Sequence, residues 1–284
     1  MLRRAGSSLV ELLVALGLAA VVLAAATRSM LRQQRAARSV ALSGAAESQA
    51  AHAVRLLPEE LALLDAASGD VVPGQASDST IELRAVVASA VACDSATTTV
   101  TFAPDVATVP PLSGVARVIA AGDSLWFLDS AGWRARSVVA TARAPSGCQR
   151  PPAPSAVTTR LTVDAPMDVG GGTPLRVTRH ERWVFYRASD GRWYLGLRDW
   201  NVAGARFNTT QPVAGPFVRA LRPGTRTGFR YFDSLGSALV PDGTNESAIA
   251  RVRVTALSAV AAYGVADTVR RDSADVVLAR RGVQ

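Results

Sequence analysis

The chain divides by its pattern of apolar and polar positions. From Leu9 to Ala26 it is almost wholly Leu, Val and Ala, broken only by Glu11 near the start and by Gly17, and closed by Arg28. A helix of that length spans most or all of a bilayer. The next stretch, Met30 to Leu57, is rich in Ala, Arg, Gln and Leu, all good helix formers, and predicts that the helix continues to Pro58, the first proline, and ends or kinks just before it. Gly17 and Gly44 are weak points in the helix, and Gly44 with Ser43 marks a candidate break. His52, on this segment, reads as a surface or helix–sheet residue rather than a ligand.

After Pro58 the period changes to short alternating runs between turn residues. Strands are predicted at Thr80–Val87, Thr97–Phe102, Val115–Ala120, Ser124–Leu128, Arg134–Ala140, Leu161–Val163 and Leu175–Arg187. Later ones are Arg192–Leu197, Gly228–Phe232, Ile249–Leu257 and Val276–Ala279. Two hairpins stand out: Leu125–Leu128 returning through Asp129-Ser130-Ala131-Gly132 into Trp133, and Trp183–Tyr186 returning through Ser189-Asp190-Gly191 into Trp193. Asp-Gly between aromatic alternations is a strong hairpin signal. The predicted fold class is α+β: one long N-terminal helix, transmembrane in its first half, packed on an antiparallel β-rich head of two sheets. No internal repeat is visible.

Charge refines the N-terminal picture. Arg3 and Arg4 precede the apolar run and no arginine falls within it, which predicts a cytoplasmic N-terminus and an exported remainder. A carboxylate in a membrane span costs about 3 kcal/mol, so Glu11 asks for a partner. The plainer alternative is a side chain snorkelling to the interface. An ordinary secretory signal with a cut near Ala24-Ala25-Ala26 is a second alternative, although the run is longer than a usual signal core.

The string Arg4-Ala5-Gly6-Ser7-Ser8-Leu9-Val10-Glu11-Leu12-Leu13-Val14-Ala15-Leu16 resembles the type IV prepilin (class III) signal, a short basic leader ending in Gly followed by an apolar tract with Glu at the fifth mature position. Ser7 departs from the Phe usual at the first mature position. The resemblance implies cleavage after Gly6 by a prepilin peptidase, N-methylation of Ser7, and a helix retained as an assembly element. In the fibre Glu11 would pair with a neighbour's N-terminal amine, two charges costly apart and tolerable together. The implied organisation is leader 1–6, transmembrane helix 7–27, spine 28–57 and an exported pilin-like head 58–284, held in the inner membrane and then in a pilus or pseudopilus. The implied partners are the peptidase and other minor and major pilins.

The order Trp183–Trp200, then Gly228-Phe229-Arg230-Tyr231-Phe232-Asp233-Ser234-Leu235-Gly236, then Ile249–Val254 is similar to the ending of W-type minor pilins and of J-type minor pseudopilins of type II secretion. It implies a minor subunit at a tip or initiating complex. Cys93 and Cys148 are the only cysteines, and outside the cytosol they are expected to pair. That disulfide would close a loop of about 55 residues, which chain entropy values at roughly 4 kcal/mol. Unpaired thiols or a redox pair are the alternatives, and no C-x-x-C spacing favours the latter.

The formal charge is +8, all of it carried by arginine, interleaved with Asp and Glu as on a solvated surface. Loss of Arg3 and Arg4 with the leader lowers it to +6 (8 − 2). Arg219, Arg222, Arg226 and Arg230 are candidate nucleic-acid contacts should the head bind DNA. Gly122-Asp123-Ser124-Leu125 repeats the four-letter block of GDSL hydrolases but lacks their Asp-x-x-His, since Val177 stands three before His180; a turn entering a strand is the simpler account. His180-Glu181 has no second histidine for a zinc helix, and Gly170-Gly171-Gly172 lacks the Lys-Ser/Thr of a phosphate loop. Asp242–Glu246 reads as turn acids rather than a calcium loop, and Asn208-Thr209-Thr210 as an incidental glycosylation triplet. No enzyme activity, cofactor or metal is expected.

Overall fold

The computed structural model describes residues 9–102, 114–115, 117–130, 132–145, 157–222, 225–260 and 268–278. Among the described residues one α-helix, α1 (Leu9–Leu61), precedes sixteen strands. The first half holds β1 (Thr80–Ala96), β2 (Thr99–Phe102), β3 (Gly114–Val115), β4 (Ser124–Asp129), β5 (Gly132–Pro145), β6 (Val157–Val163), β7 (Pro174–Arg187) and β8 (Trp193–Asn201). The second holds β9 (Arg206–Phe207), β10 (Gln211–Phe217), β11 (Ala220–Arg222), β12 (Thr225–Arg226), β13 (Gly228–Phe232), β14 (Ala238–Leu239), β15 (Arg251–Val260) and β16 (Thr268–Val277). All pairings are antiparallel and form a ten-stranded sheet, a four-stranded sheet ordered β14-β13-β15-β16, and the β11–β12 ribbon.

The helix corrects two expectations. Pro58 lies inside α1 rather than ending it, and Gly44 does not break it. Proline removes one backbone donor, but Pro58 keeps its carbonyl, which accepts from Ala62 N at 2.9 Å, while Leu57 and Leu61 on either side are fully buried. Tertiary packing holds the last turn together despite the local penalty. Ala50, Ala53, Val54, Leu57 and Leu61 form the buried stripe, at the i, i+3, i+4, i+7 spacing of one helix face. That stripe packs on β15, β16 and β10. From Leu9 to Gln49 every residue whose exposure is described is exposed, so the upper spine does not lie under the head as the sequence suggested.

The larger sheet closes on itself. β1 pairs with β7 through Thr80–Val91 and, farther along, with β2 through Ala92–Ala96; the ring is completed by β2–β6, β6–β5, β5–β4 and β4–β7. This six-stranded barrel is filled by Val87, Val100, Phe102, Leu125, Phe127, Val138, Leu161, Leu175 and Val177, among others. A ring this small encloses side chains rather than a channel. A second core lies under α1, where Leu57 and Leu61 meet Ile81, Leu83, Trp183, Phe185, Phe229, Val252 and Val254.

Both cores are served by β7. Side chains alternate across a strand, so Leu175, Val177, Arg179, Glu181, Trp183 and Phe185 share one face. Its first two residues fill the barrel and its last two lie beneath the helix. Arg179 and Glu181 form a polar seam between the cores.

Candidate functional site

Of the residues singled out for processing and assembly, Gly6 and Ser7 lie outside the described residues. Glu11 stands on the first described turn of α1, exposed. Around it Leu9, Val10, Leu12, Leu13, Val14 and Leu16 are all more than half exposed, and the window of mean hydropathy 2.6 that α1 contains has none of its surface buried. The helix is thus long and apolar enough to cross a membrane. An apolar surface of this extent is a feature of segments that contact lipid or other chains.

Cys93, on β1, is disulfide-bonded, and Cys148 lies outside the described residues. Three of the four candidate nucleic-acid arginines, Arg219, Arg226 and Arg230, have described side chains. Arg219 is turned inward: it bonds Asp78 at 2.7 Å and the Thr227 carbonyl at 2.9 Å, and its guanidinium stacks 4.8 Å from the Trp193 ring centre. Arg226 reaches the same Asp78 carboxylate at 4.0 Å. Arg226 and Arg230 line a cleft of about 290 Å³ with Asp78 and Phe229. Arg222 falls on β11, and its side chain is outside the description.

The stretch from Gly228 to Gly236 is held together structurally. Phe229 is buried in the core under α1, and the Tyr231 hydroxyl donates to the Ser77 carbonyl at 2.8 Å, locking β13 to the start of β1. Burial raises the Tyr231 hydroxyl pKa well above its ordinary value. Asp233 Oδ1 accepts from Leu235 N at 2.9 Å and Ser237 N at 2.8 Å, closing the turn into β14.

In the GDSL-like block, Asp123 is buried and salt-bridged to Arg179, with Nε–Oδ1 2.8 Å and Nη2–Oδ2 2.9 Å. Gly122 has φ +93°, and a Cβ there would sit 1.9 Å from Val202 Cγ2. The block is a glycine turn anchored by an ion pair. In the 242–246 loop Asp242 Oδ1 caps Thr244 N at 2.9 Å, and the buried Glu246 accepts from Gly74 N at 2.9 Å and Gly243 N at 2.8 Å. Among the described residues no group of three or more metal-ligating side chains comes together.

The seam between the cores was not anticipated. Glu181 is fully buried and takes an ion pair from Arg117, whose other nitrogen pairs with Glu60 on α1. Burial pushes the Glu181 carboxyl up to about 7; Arg117 pulls the other way and Glu60 and Asp199 add to the rise. On the opposite face Glu82 meets His180 Nε2 at 2.5 Å and Arg182 Nε at 2.8 Å. Burial raises this carboxyl too, but those two donors outweigh it and hold it below the usual range. The available signal was parity, since Arg179 and Glu181 interrupt an alternation that is otherwise apolar from Leu175 to Phe185.

No protein-family model matches the chain, and no curated protein or solved structure matches it.

Proposed function

We propose that this chain is a prepilin-like structural subunit, cut after Gly6 by a prepilin peptidase and assembled through its N-terminal helix into a type IV pilus or a type II secretion pseudopilus. The observation that carries the reading is the bare apolar length of α1, led by a single carboxylate at Glu11, in register with Gly6 and Ser7 as in a class III signal. In the fibre, bilayer contacts would give way to contacts between helices, and Glu11 would meet the N-terminal amine of its neighbour. The size of the head and the arrangement of β13, its turn and β15 support a minor subunit at a tip or initiating complex. The role is mechanical, with no chemistry performed by the head.

The reading places the N-terminus in the cytoplasm and the disulfide-bearing head outside it. Flanking charge does not carry that orientation. Arg28, Arg32, Arg35 and Arg38 follow the apolar run and outnumber Arg3 and Arg4 ahead of it. Long exported domains cross largely regardless of charge, so the orientation rests on the resemblance to the prepilin signal.

The test is the mature N-terminus, read by mass spectrometry after co-expression with a prepilin peptidase. A species beginning at Ser7, with or without one methyl group, is the expected result. A species beginning near residue 27, or one still carrying Met1 in the peptidase's presence, would remove the reading. Changing Glu11→Ala is expected to leave cleavage intact and abolish incorporation into shear-released fibres.

A further inference from the structure

Past the apolar run α1 continues unbroken, and its next turns carry Arg28, Arg32, Arg35 and Arg38, all exposed. No acidic residue occurs between Glu11 and Glu47. None of the four arginines enters an ion pair among the described residues. At 3.6 residues per turn Arg28, Arg32 and Arg35 fall within an arc of about 60°, a single stripe of positive charge.

The placement of this stripe is set by geometry. At 1.5 Å per residue, Arg28 to Arg35 cover about 10 Å of helix immediately beyond the apolar run. A headgroup layer is roughly 5–7 Å deep, and the Debye length at physiological salt adds about 8 Å to its reach. Side chains on a helix lean toward its N-terminus, so these guanidinium groups point back at the membrane rather than away from it. Each can fork onto a phosphate with two parallel hydrogen bonds. No described residue of the head lies over this stretch, and the described burial of α1 begins at Ala50.

We infer that Arg28, Arg32 and Arg35 form a binding stripe for anionic phospholipid headgroups, on the membrane face from which the head projects. The inference rests on the reading of α1 as a membrane span. The stripe fixes the depth of the helix and holds the exposed stalk upright between bilayer and head. Each arginine near an anionic surface contributes roughly a fivefold preference at low salt, so the three together act over about two orders of magnitude.

The full chain would be reconstituted in phosphatidylcholine vesicles containing a minority of phosphatidylglycerol. It would then be recovered in mild detergent, and the co-purifying lipids counted by mass spectrometry. The wild type is expected to carry phosphatidylglycerol several-fold above its bulk share, and to lose that excess at about 1 M salt, where the Debye length falls to about 3 Å. The triple variant Arg28→Gln, Arg32→Gln, Arg35→Gln is expected to fall to the bulk share, and the corresponding triple Lys variant to keep most of the excess.

A wild type at the bulk share, or a Gln variant with undiminished excess, overturns the inference while leaving the membrane reading intact. If the wild type also fails to enter vesicles of phosphatidylcholine alone, the membrane reading fails and the lipid stripe with it. Unchanged lipid retention with lost fibre incorporation in the Gln variant would assign the stripe to an acidic protein surface and likewise overturn the lipid proposal.

Discussion

Glu181 is a carboxylic acid held inside the fold at the meeting of helix, barrel and sheet, with Arg117 as its only ion-pairing partner among the described residues. Its folded pKa, about 7, lies above the ordinary value of 4.5 because burial disfavours the charged form. The folded state therefore binds this proton more tightly than the unfolded chain. The resulting stabilisation is complete below pH 4.5 and is lost as pH rises through about 7, a change of roughly 3 kcal/mol. Glu82 acts in the opposite direction. Its lowered pKa contributes stability above pH 4.5 that is lost as pH falls below that value. Thermal midpoints measured between pH 5 and pH 8 should fall with rising pH in the wild type and flatten in Glu181→Gln. An unchanged slope in the variant would remove Glu181 as the cause.

Asp70 and Arg176 make the other demanding pair, both buried, at 2.8 and 2.5 Å. They tie the turn after α1 to β7. Arg176→Ala would strand the Asp70 charge and is expected to cost about 3–5 kcal/mol in denaturant unfolding. A loss below 1 kcal/mol would mean that water reaches the pair.

At the scale of elements, α1 is two helices in energetic terms. Leu57→Ala opens a cavity in the core beneath the helix and is expected to cost about 2–5 kcal/mol, whereas Leu13→Ala, on the bare stretch, should leave head stability unchanged. Equal losses at the two positions would contradict this division. The strands show where sequence patterning reached and where it stopped. The β4–β5 and β7–β8 hairpins formed around the turn residues expected, with Leu128 opposite Trp133 and Arg187 opposite Trp193. β10 was missed because Pro212 and Pro216 argue against a strand, yet it is an end strand of the large sheet, where a missing donor is tolerated. Most of β16 was missed too. Its Arg270-Arg271-Asp272-Ser273 stretch has no apolar alternation, and its pairing with β15 is a tertiary outcome.

At the scale of the molecule, a head with two cores packs on α1 from Ala50 onward, and among the described residues none of the helix before Ala50 is buried. Removing residues 1–40, which hold the apolar run long enough to cross a membrane, should therefore leave the head's thermal midpoint unchanged. A lower midpoint would show that the bare helix stabilises the head. The disulfide of Cys93 belongs to the same scale, because a crosslink acts on the whole unfolded chain. Replacing Cys93 and Cys148 together by Ser is expected to lower unfolding free energy by roughly 4 kcal/mol relative to the oxidised protein. Identical denaturation curves with and without reductant would argue against that contribution.

The sequence by itself determined the local features: the apolar helix and its exit at Arg28, the placement of Glu11, the change to β texture after Pro58, and the Asp-Gly hairpin. Each is decided by the period or chemistry of a few adjacent residues, so no distant partner is needed to read it. Tertiary structure alone decided the rest. It carried α1 through Pro58 on the burial of Leu57 and Leu61, closed six strands into a barrel, and gave one face of β7 to two cores. It also placed Glu60, Arg117 and Glu181 in one seam although they come from distant parts of the chain. Barrel closure and buried ion pairs depend on contacts between residues far apart in sequence, and no local pattern encodes which of many partners a strand or a charge will meet.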